Sequence, residues 1–266
     1  MIGADSRRRS AGWGKAASPE QPVIDVLIPT ADRGAELAVT LAGLAAQDSP
    51  AFRVTLSDQG DTPASREEPA VLAMIRVLRA QNREVRTLRH LPRHGIAEHR
   101  QFLLEAATAP FVLYLDDERP DERAAFSPWN GRVTPERMRR DAEGFARWRL
   151  HNAANLVHLA RDLGLGPDEW LAYRVAWIGG CVLYRREALV ASGGFDFWEE
   201  VTERHSGEDV AAQWRVMERF GSAGILPSGA VHLEAPSTIP DREGEAFDVV
   251  FGRGPFTAAH LRQDPE

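Results

Sequence analysis

Val23-Ile24-Asp25-Val26-Leu27-Ile28, closed by Pro29-Thr30, is the stretch on which the reading of the fold turns. It is β-branched and apolar nearly throughout, which suits a strand buried on both faces, and Pro29 is expected to stop it. Upstream, residues 1–22 are rich in Ser, Gly, Ala and Arg without an apolar period, and read as a disordered tail. Downstream the pattern alternates. Glu36 to Gln47 places Leu37, Leu41 and Leu44 at helical spacing. Phe52 to Leu56 is a second strand, running into Ser57-Asp58-Gln59-Gly60-Asp61, and Val71 to Ala80 is a helix. Val85 to Leu91 is a third strand, Ile96 to Ala107 a helix, and Pro110 to Leu115 a fourth strand. Strand and helix in alternation imply an α/β fold of right-handed βαβ units with a mainly parallel central sheet. Ligands of such sheets bind beyond the carboxyl ends of the strands. Thr30, Asp58 and Asp116-Asp117-Glu118 follow three of those ends, so they are expected on one edge although far apart in sequence.

Composition narrows the function. The chain has 266 residues, 39 acids against 32 bases and a formal charge of −7, which argues against a general nucleic-acid binder. A single cysteine excludes a disulfide framework and a cysteine-based zinc site. No apolar run approaches the roughly 18–20 residues of a membrane span. Arg7-Arg8-Arg9 lacks the apolar stretch of a secretory signal, so the expected compartment is the cytoplasm.

Beyond Glu118 the alternation breaks. Residues 119–149 hold eight arginines, a solvated helical face or a surface for an acidic or phosphorylated acceptor. Thr134-Pro135-Glu136 resembles a helix start, and a long helix is expected over Glu136 to Leu163. Val175 to Tyr184 reads as a strand in which Gly179-Gly180 marks a bend or a close backbone approach. Glu208 to Phe220 is a helix, Ile225 to Leu233 is extended, and the polar chain from Ala235 on is a flap or tail.

Adjacent carboxylates repel, so Asp116-Asp117-Glu118 is either a solvated turn neutralised by Arg119 and Arg123 or a seat for a hard cation such as Mg²⁺ or Mn²⁺. Asp58 at a strand end can accept hydrogen bonds from a base or ribose, or make an Asx-turn. Ser206-Gly207-Glu208-Asp209 opens a helix. Ser206 could cap it with Asp209 as reciprocal partner, or a carboxylate there could act as general base, kept ionised by the helix dipole. His232 in Val-His-Leu is a core residue or a metal ligand through neutral imidazole. Of seven tryptophans, Trp177 and Trp198 are the choices for lining a sugar site. No Gly-x-Gly-x-x-Gly follows the first strand and no Walker-type Gly-Lys-Ser/Thr occurs.

With these residues in place the chain resembles glycosyltransferase family 2, inverting sugar transferases of the GT-A fold, from about Val23 to Glu234. Val26-Leu27-Ile28-Pro29-Thr30 is similar to the family's opening strand, which implies that Pro29 and Thr30 touch the nucleotide. Ser57-Asp58-Gln59-Gly60-Asp61 resembles its Asp-Asp-Gly-Ser turn, with Gln59 and Asp61 departing, and implies Asp58 on the base. His94-Gly95 through His99-Arg100-Gln101 resembles a Gly-x-x-x-x-Arg-Asn segment, and implies Arg100 on donor phosphate or ribose. Leu115-Asp116-Asp117-Glu118 resembles the Asp-x-Asp motif. This implies Asp116 on the donor, Asp117 or Glu118 on the metal, and His232 as a further ligand. Gly179-Gly180 through Phe195-Asp196 is similar to the acceptor-side segment, where Gly179, Gly180, Trp177 and Trp198 are assigned. Gly207-Glu208-Asp209 looks like the Glu-Asp motif, with Asp209 as base and Glu208 binding the acceptor.

The resemblance implies a Rossmann-like three-layer α/β/α sandwich over residues 23–235, with a nucleotide-sugar half (23–118), an acceptor half (119–235) and a flap or tail over 236–266. It also implies Mn²⁺ or Mg²⁺ and a nucleotide-sugar donor. A UDP-sugar is the expectation, with GDP- and dTDP-sugars open. The acceptor would be a hydroxyl of a glycan, a lipid-linked sugar or a small molecule. The rivals are a catalytically degenerate sugar-nucleotide binder and a sugar-nucleotide nucleotidyltransferase, which would want a basic Gly-rich loop where Thr30-Ala31-Asp32-Arg33-Gly34 stands. A glycoside hydrolase built on Asp117 and Asp209 would leave Asp58 and Arg100 without work.

Overall fold

The computed structural model describes residues 21–47, 50–60, 65–115, 151–152, 166, 169–173, 175–177, 180–226 and 241–252. The first half is β1 (Ile24–Thr30), α1 (Gly34–Ala45), β2 (Phe52–Asp58), a 3-10 turn (Ser65–Glu67), α2 (Pro69–Ala80), β3 (Val85–Arg89), α3 (Ile96–Ala106) and β4 (Phe111–Leu115). Then follow β5 (His151–Asn152), β6 (Leu171–Tyr173), β7 (Val175–Trp177), β8 (Cys181–Arg185), α4 (Arg186–Ala191) and a second 3-10 turn (Asp196–Glu199). The chain continues through α5 (Glu208–Phe220), β9 (Gly224–Leu226) and α6 (Ala246–Phe251).

The central sheet runs β3-β2-β1-β4-β8. β1 is parallel to β2 and β4, β2 is parallel to β3, and β8 returns antiparallel on the edge beside β4. Side chains alternate across β1 and sort the core into two layers. Val26 and Ile28 join Val54, Leu56 and Val85 beneath α1 and α2, through Leu37, Leu41, Val71, Ile75 and Leu78. Leu27 points the other way, with Val112 and Tyr114, onto α3, α4 and α5 through Leu103, Leu104, Leu189, Ala211 and Val216. This is the three-layer α/β/α arrangement. Fully buried leucines such as Leu41, Leu56 and Leu78 each contribute about 2–3 kcal/mol of burial.

Several expectations are corrected. Pro29 does not stop β1; the strand continues to Thr30, with Pro29 opposite Ser57. Pairing with β4 ends at Leu27, so on that side no ladder asks for the N–H that proline lacks. The helix expected over Glu136 to Leu163 is not continuous, because His151–Asn152 is extended and pairs parallel with Val175–Trp177; the rest of that span lies outside the described residues. The strand expected over Val175 to Tyr184 is two strands in two sheets. They separate around Gly180, whose φ of 27° takes the chain out of extended geometry. The expected tail over 1–22 lies outside the described residues except for its last two. Of Ile225–Leu233, the strand β9 covers the described part, ending at Leu226.

Candidate functional site

The parallel register puts Thr30 directly beside Asp58, so the ends of β1 and β2 form one edge. Asp58 is 0% exposed. Its Oδ1 accepts the Gly60 N–H at 2.6 Å and its Oδ2 the Arg66 N–H at 3.0 Å. The Asx-turn is therefore formed, and the same carboxylate ties the turn to the 3-10 segment before α2. Gly60 is needed there, since a Cβ would lie 2.8 Å from Asp58 Oδ1 and 2.9 Å from Asp32 Oδ1. Arginines close over the turn. Arg93 donates through Nε to the Gln59 carbonyl and through Nη2 to Asp32 Oδ2, and Arg89 donates to the Gly60 carbonyl. Gln59 is buried, and its Nε2 makes no hydrogen bond among the described residues.

α3 starts at this edge, after β3, and three consecutive residues on it reach three different elements. His99 Nε2 is 2.8 Å from Ser57 Oγ, on the residue before Asp58. Arg100 Nε lies 3.2 Å from Glu208 Oε1. Gln101 Oε1 accepts the Phe195 N–H at 3.0 Å.

Glu208 and Asp209 occupy the first turn of α5, 4% and 6% exposed. Two buried carboxylates thus sit at the positive end of the helix dipole. Ser206 does not cap α5. Gly207 holds the N-cap position with φ 72° and no side-chain cap. Ser206 is drawn instead into a strand-like bridge with Glu245, its N–H on the Gly244 carbonyl and its Oγ donating to Glu245 Oε1 at 2.8 Å. The segment 241–251 thus grips the loop before α5.

That loop also seats α3. His205 Nδ1 lies 2.6 Å from the Thr202 carbonyl, and its Nε2 accepts the Ala97 N–H at 3.3 Å. The geometry requires the Nδ1–H tautomer and makes His205 the cap of α3, satisfying one of its orphan amides. Beneath the two acids, the phenols of Tyr114 and Tyr184 are pushed far up by burial; Asp209 and Glu208 raise Tyr184 further, against Arg100. Both stay protonated, and Tyr114 donates to the Arg100 carbonyl at 2.7 Å.

His99 moves the other way. Burial first, then the neighbouring His90, Arg100 and Arg93, push it down from 6.5 to about 3, against an opposing hydrogen bond from Ser57. The unfolded chain binds a proton at this residue near pH 6.5, the folded one only near 3, so the unfolded state holds more protons in between. The cost is absent above pH 6.5 and grows as pH falls towards 3, at up to about 1.4 kcal/mol per pH unit. Urea unfolding of wild type and His99→Gln from about pH 7.5 to about 4.5 is expected to show a shallower loss in the variant. Parallel profiles would remove His99 as the source.

Trp198, half-buried in the second 3-10 turn, packs on the α3 side of the core with its ring 6.2 Å from that of His94. Gly180 immediately precedes β8, and Trp177 ends β7. Asp116, Asp117, Glu118, Gly179 and His232 lie outside the described residues; Asp116 directly follows β4, whose Tyr114 pairs beside Leu27 of β1. Among the described residues no group of three His, Cys, Asp or Glu side chains could hold a metal ion, and no helix is long and apolar enough to cross a membrane. Sequence reasoning missed His205, His99, Arg93 and Arg89. The only signal was the crowding of His90, Arg93, His94 and His99 into ten residues.

Residues 25–119 match the family model for glycosyl transferase family 2. No curated protein sequence matches the chain. Similar solved structures include S. aureus TarS 1–349, at 16% identity and TM-score 0.41, covering 75% of this chain and 57% of that one. Another is the mannosyltransferase PcManGT from Pyrobaculum calidifontis in complex with GDP-Man and Mn2+, at 16% identity and TM-score 0.42, covering 77% and 56%. The chain spans less than two thirds of the length of either.

Proposed function

We propose, on the premise that residues 25–119 are a glycosyl transferase family 2 segment, that this glycosyltransferase moves a sugar from a nucleotide-sugar to an acceptor hydroxyl by one inverting displacement. The observation that carries the reading is the coupling along α3. Ser57, next to Asp58, is held by His99, and Glu208, next to Asp209, is held by Arg100. The strand ends assigned to the donor and the acid pair assigned to the acceptor are thereby one helical residue apart. Asp209 takes the proton of the acceptor hydroxyl as its oxygen bonds to the anomeric carbon, while the bond to the diphosphate breaks and the configuration inverts. Pro29, Thr30, Asp58 and Asp116 serve the nucleotide; Glu208, Trp177, Gly179, Gly180 and Trp198 serve the acceptor.

The donor set after β4 suits Mn²⁺ or Mg²⁺, which take carboxylate oxygens. Asp117 or Glu118, with His232, would hold the ion, and when bound it supplies charge that offsets the leaving diphosphate. A UDP-sugar is the proposed donor, on the family resemblance.

The test is calorimetric titration of UDP, GDP and dTDP in Mn²⁺ and again in EDTA. We expect UDP to bind and EDTA to weaken it at least tenfold, an effect of about 1.4 kcal/mol. Equal binding in EDTA would overturn the metal role. Binding without turnover of any UDP-sugar would favour the degenerate binder.

A further inference from the structure

The structure assigns Arg100 as a positioning residue that sets Asp209 through Glu208, in place of a contact to the donor. This rests on the function proposed above and departs from the role that the family resemblance implies for Arg100.

Arg100 is 3% exposed. Its backbone carbonyl accepts the Tyr114 hydroxyl, and its guanidinium lies 5.4 Å from the Tyr114 ring and 5.7 Å from that of Phe195. Both ends of the residue are thus fixed from the core side, and its Nε stands 3.2 Å from Glu208. The enclosed guanidinium therefore meets Glu208 as an ion pair, by charge and proximity, since its Nε makes no hydrogen bond among the described residues. Glu208 is itself buried in the first turn of α5, and Asp209 is the next residue in that turn. The preceding loop has other anchors, at His205 and at Ser206, but these act before the helix begins. Among the described contacts, Arg100 is the one that fixes the helix's first residue by charge.

Catalysis depends on holding the base within a fraction of an ångström, and a 1 Å misplacement can cost about 10²-fold. Arg100→Met keeps the length and loses the charge. We expect UDP affinity within twofold of wild type, turnover of UDP-sugar down about 10²-fold, and hydrogen exchange over residues 202–212 raised at least tenfold. Exchange over residues 52–58 should be unchanged. Glu208→Gln should reproduce the exchange change from the other side, and Arg100→Lys should rescue part of it. A tenfold or greater loss of UDP affinity with unchanged exchange over 202–212 would overturn the assignment and return Arg100 to the donor. If Arg100→Met does not fold, the Arg100→Lys and Glu208→Gln pair decides by the same exchange contrast. A wild type that binds none of UDP, GDP or dTDP would fail the proposed function, whereas the exchange contrast would still report on Arg100.

Discussion

Asp209→Asn is expected to lower sugar transfer by about 10²–10⁴-fold with folding and nucleotide binding intact. The amide has the size of the carboxylate but cannot take a proton from a hydroxyl. Asp209 is 6% exposed in the first turn of α5, beside a tyrosine that stays protonated, so no neighbouring phenolate can substitute as base. Two contacts that position this turn, Arg100 with Glu208 and Ser206 with Glu245, run through other side chains. The deciding measurement is kcat with nucleotide affinity measured in parallel. A folded variant with wild-type turnover would remove Asp209 from the chemistry.

Asp25→Ala should give the largest loss of stability, about 3–5 kcal/mol. Asp25 is 0% exposed at the end of the sheet opposite the site. Its Oδ1 accepts from Arg53 Nε at 2.7 Å, and its Oδ2 accepts the N–H groups of Thr108 and Ala109 at 2.6 and 2.8 Å. Arg53 in turn donates to Thr108 Oγ1. Removing the carboxylate leaves a buried guanidinium and two amides without their acceptor, each a recognised cost. Total stabilities are about 5–15 kcal/mol, so the loss is a large share. Urea unfolding of the single variant and of Asp25→Ala/Arg53→Met tests it; the double variant should be the more stable, because it no longer buries a guanidinium whose remaining carboxylate partner is the half-exposed Glu84 at 3.5 Å. A single variant within about 1 kcal/mol of wild type would show that the network is replaceable.

What was legible was local. The alternation of strand and helix from Val23 to Leu115 followed from apolar period, and it carried the sheet and its polar edge with it. The misreadings came where a neighbour far along the chain decides. Ser206 has the chemistry of a cap, yet a bridge to Glu245 takes it away. Val175 to Tyr184 has the composition of one strand, yet its two halves find different partners, β5 and β4. The pairs that build the site are more distant still. His99 and Ser57 are 42 residues apart, and Ala97 and His205 are 108 apart. No spacing rule joins them. Asp58 and Asp209 were legible as candidates because their residue types sit at element ends; Arg93 and His205 were not, because loops dispose them.

The His205 cap has a consequence for recombination. One imidazole lone pair from the loop before α5 completes the first turn of α3, and one guanidinium from α3 meets the first residue of α5. The two helices are keyed to each other by a reciprocal pair of contacts that cross the whole middle of the chain. A chimera that takes residues before 116 from this protein and residues after 150 from a homologue inherits half of each key. Such exchanges succeed as units only where position 100 travels with 208 and position 97 with 205, so the two portions of the gene are bound to change together.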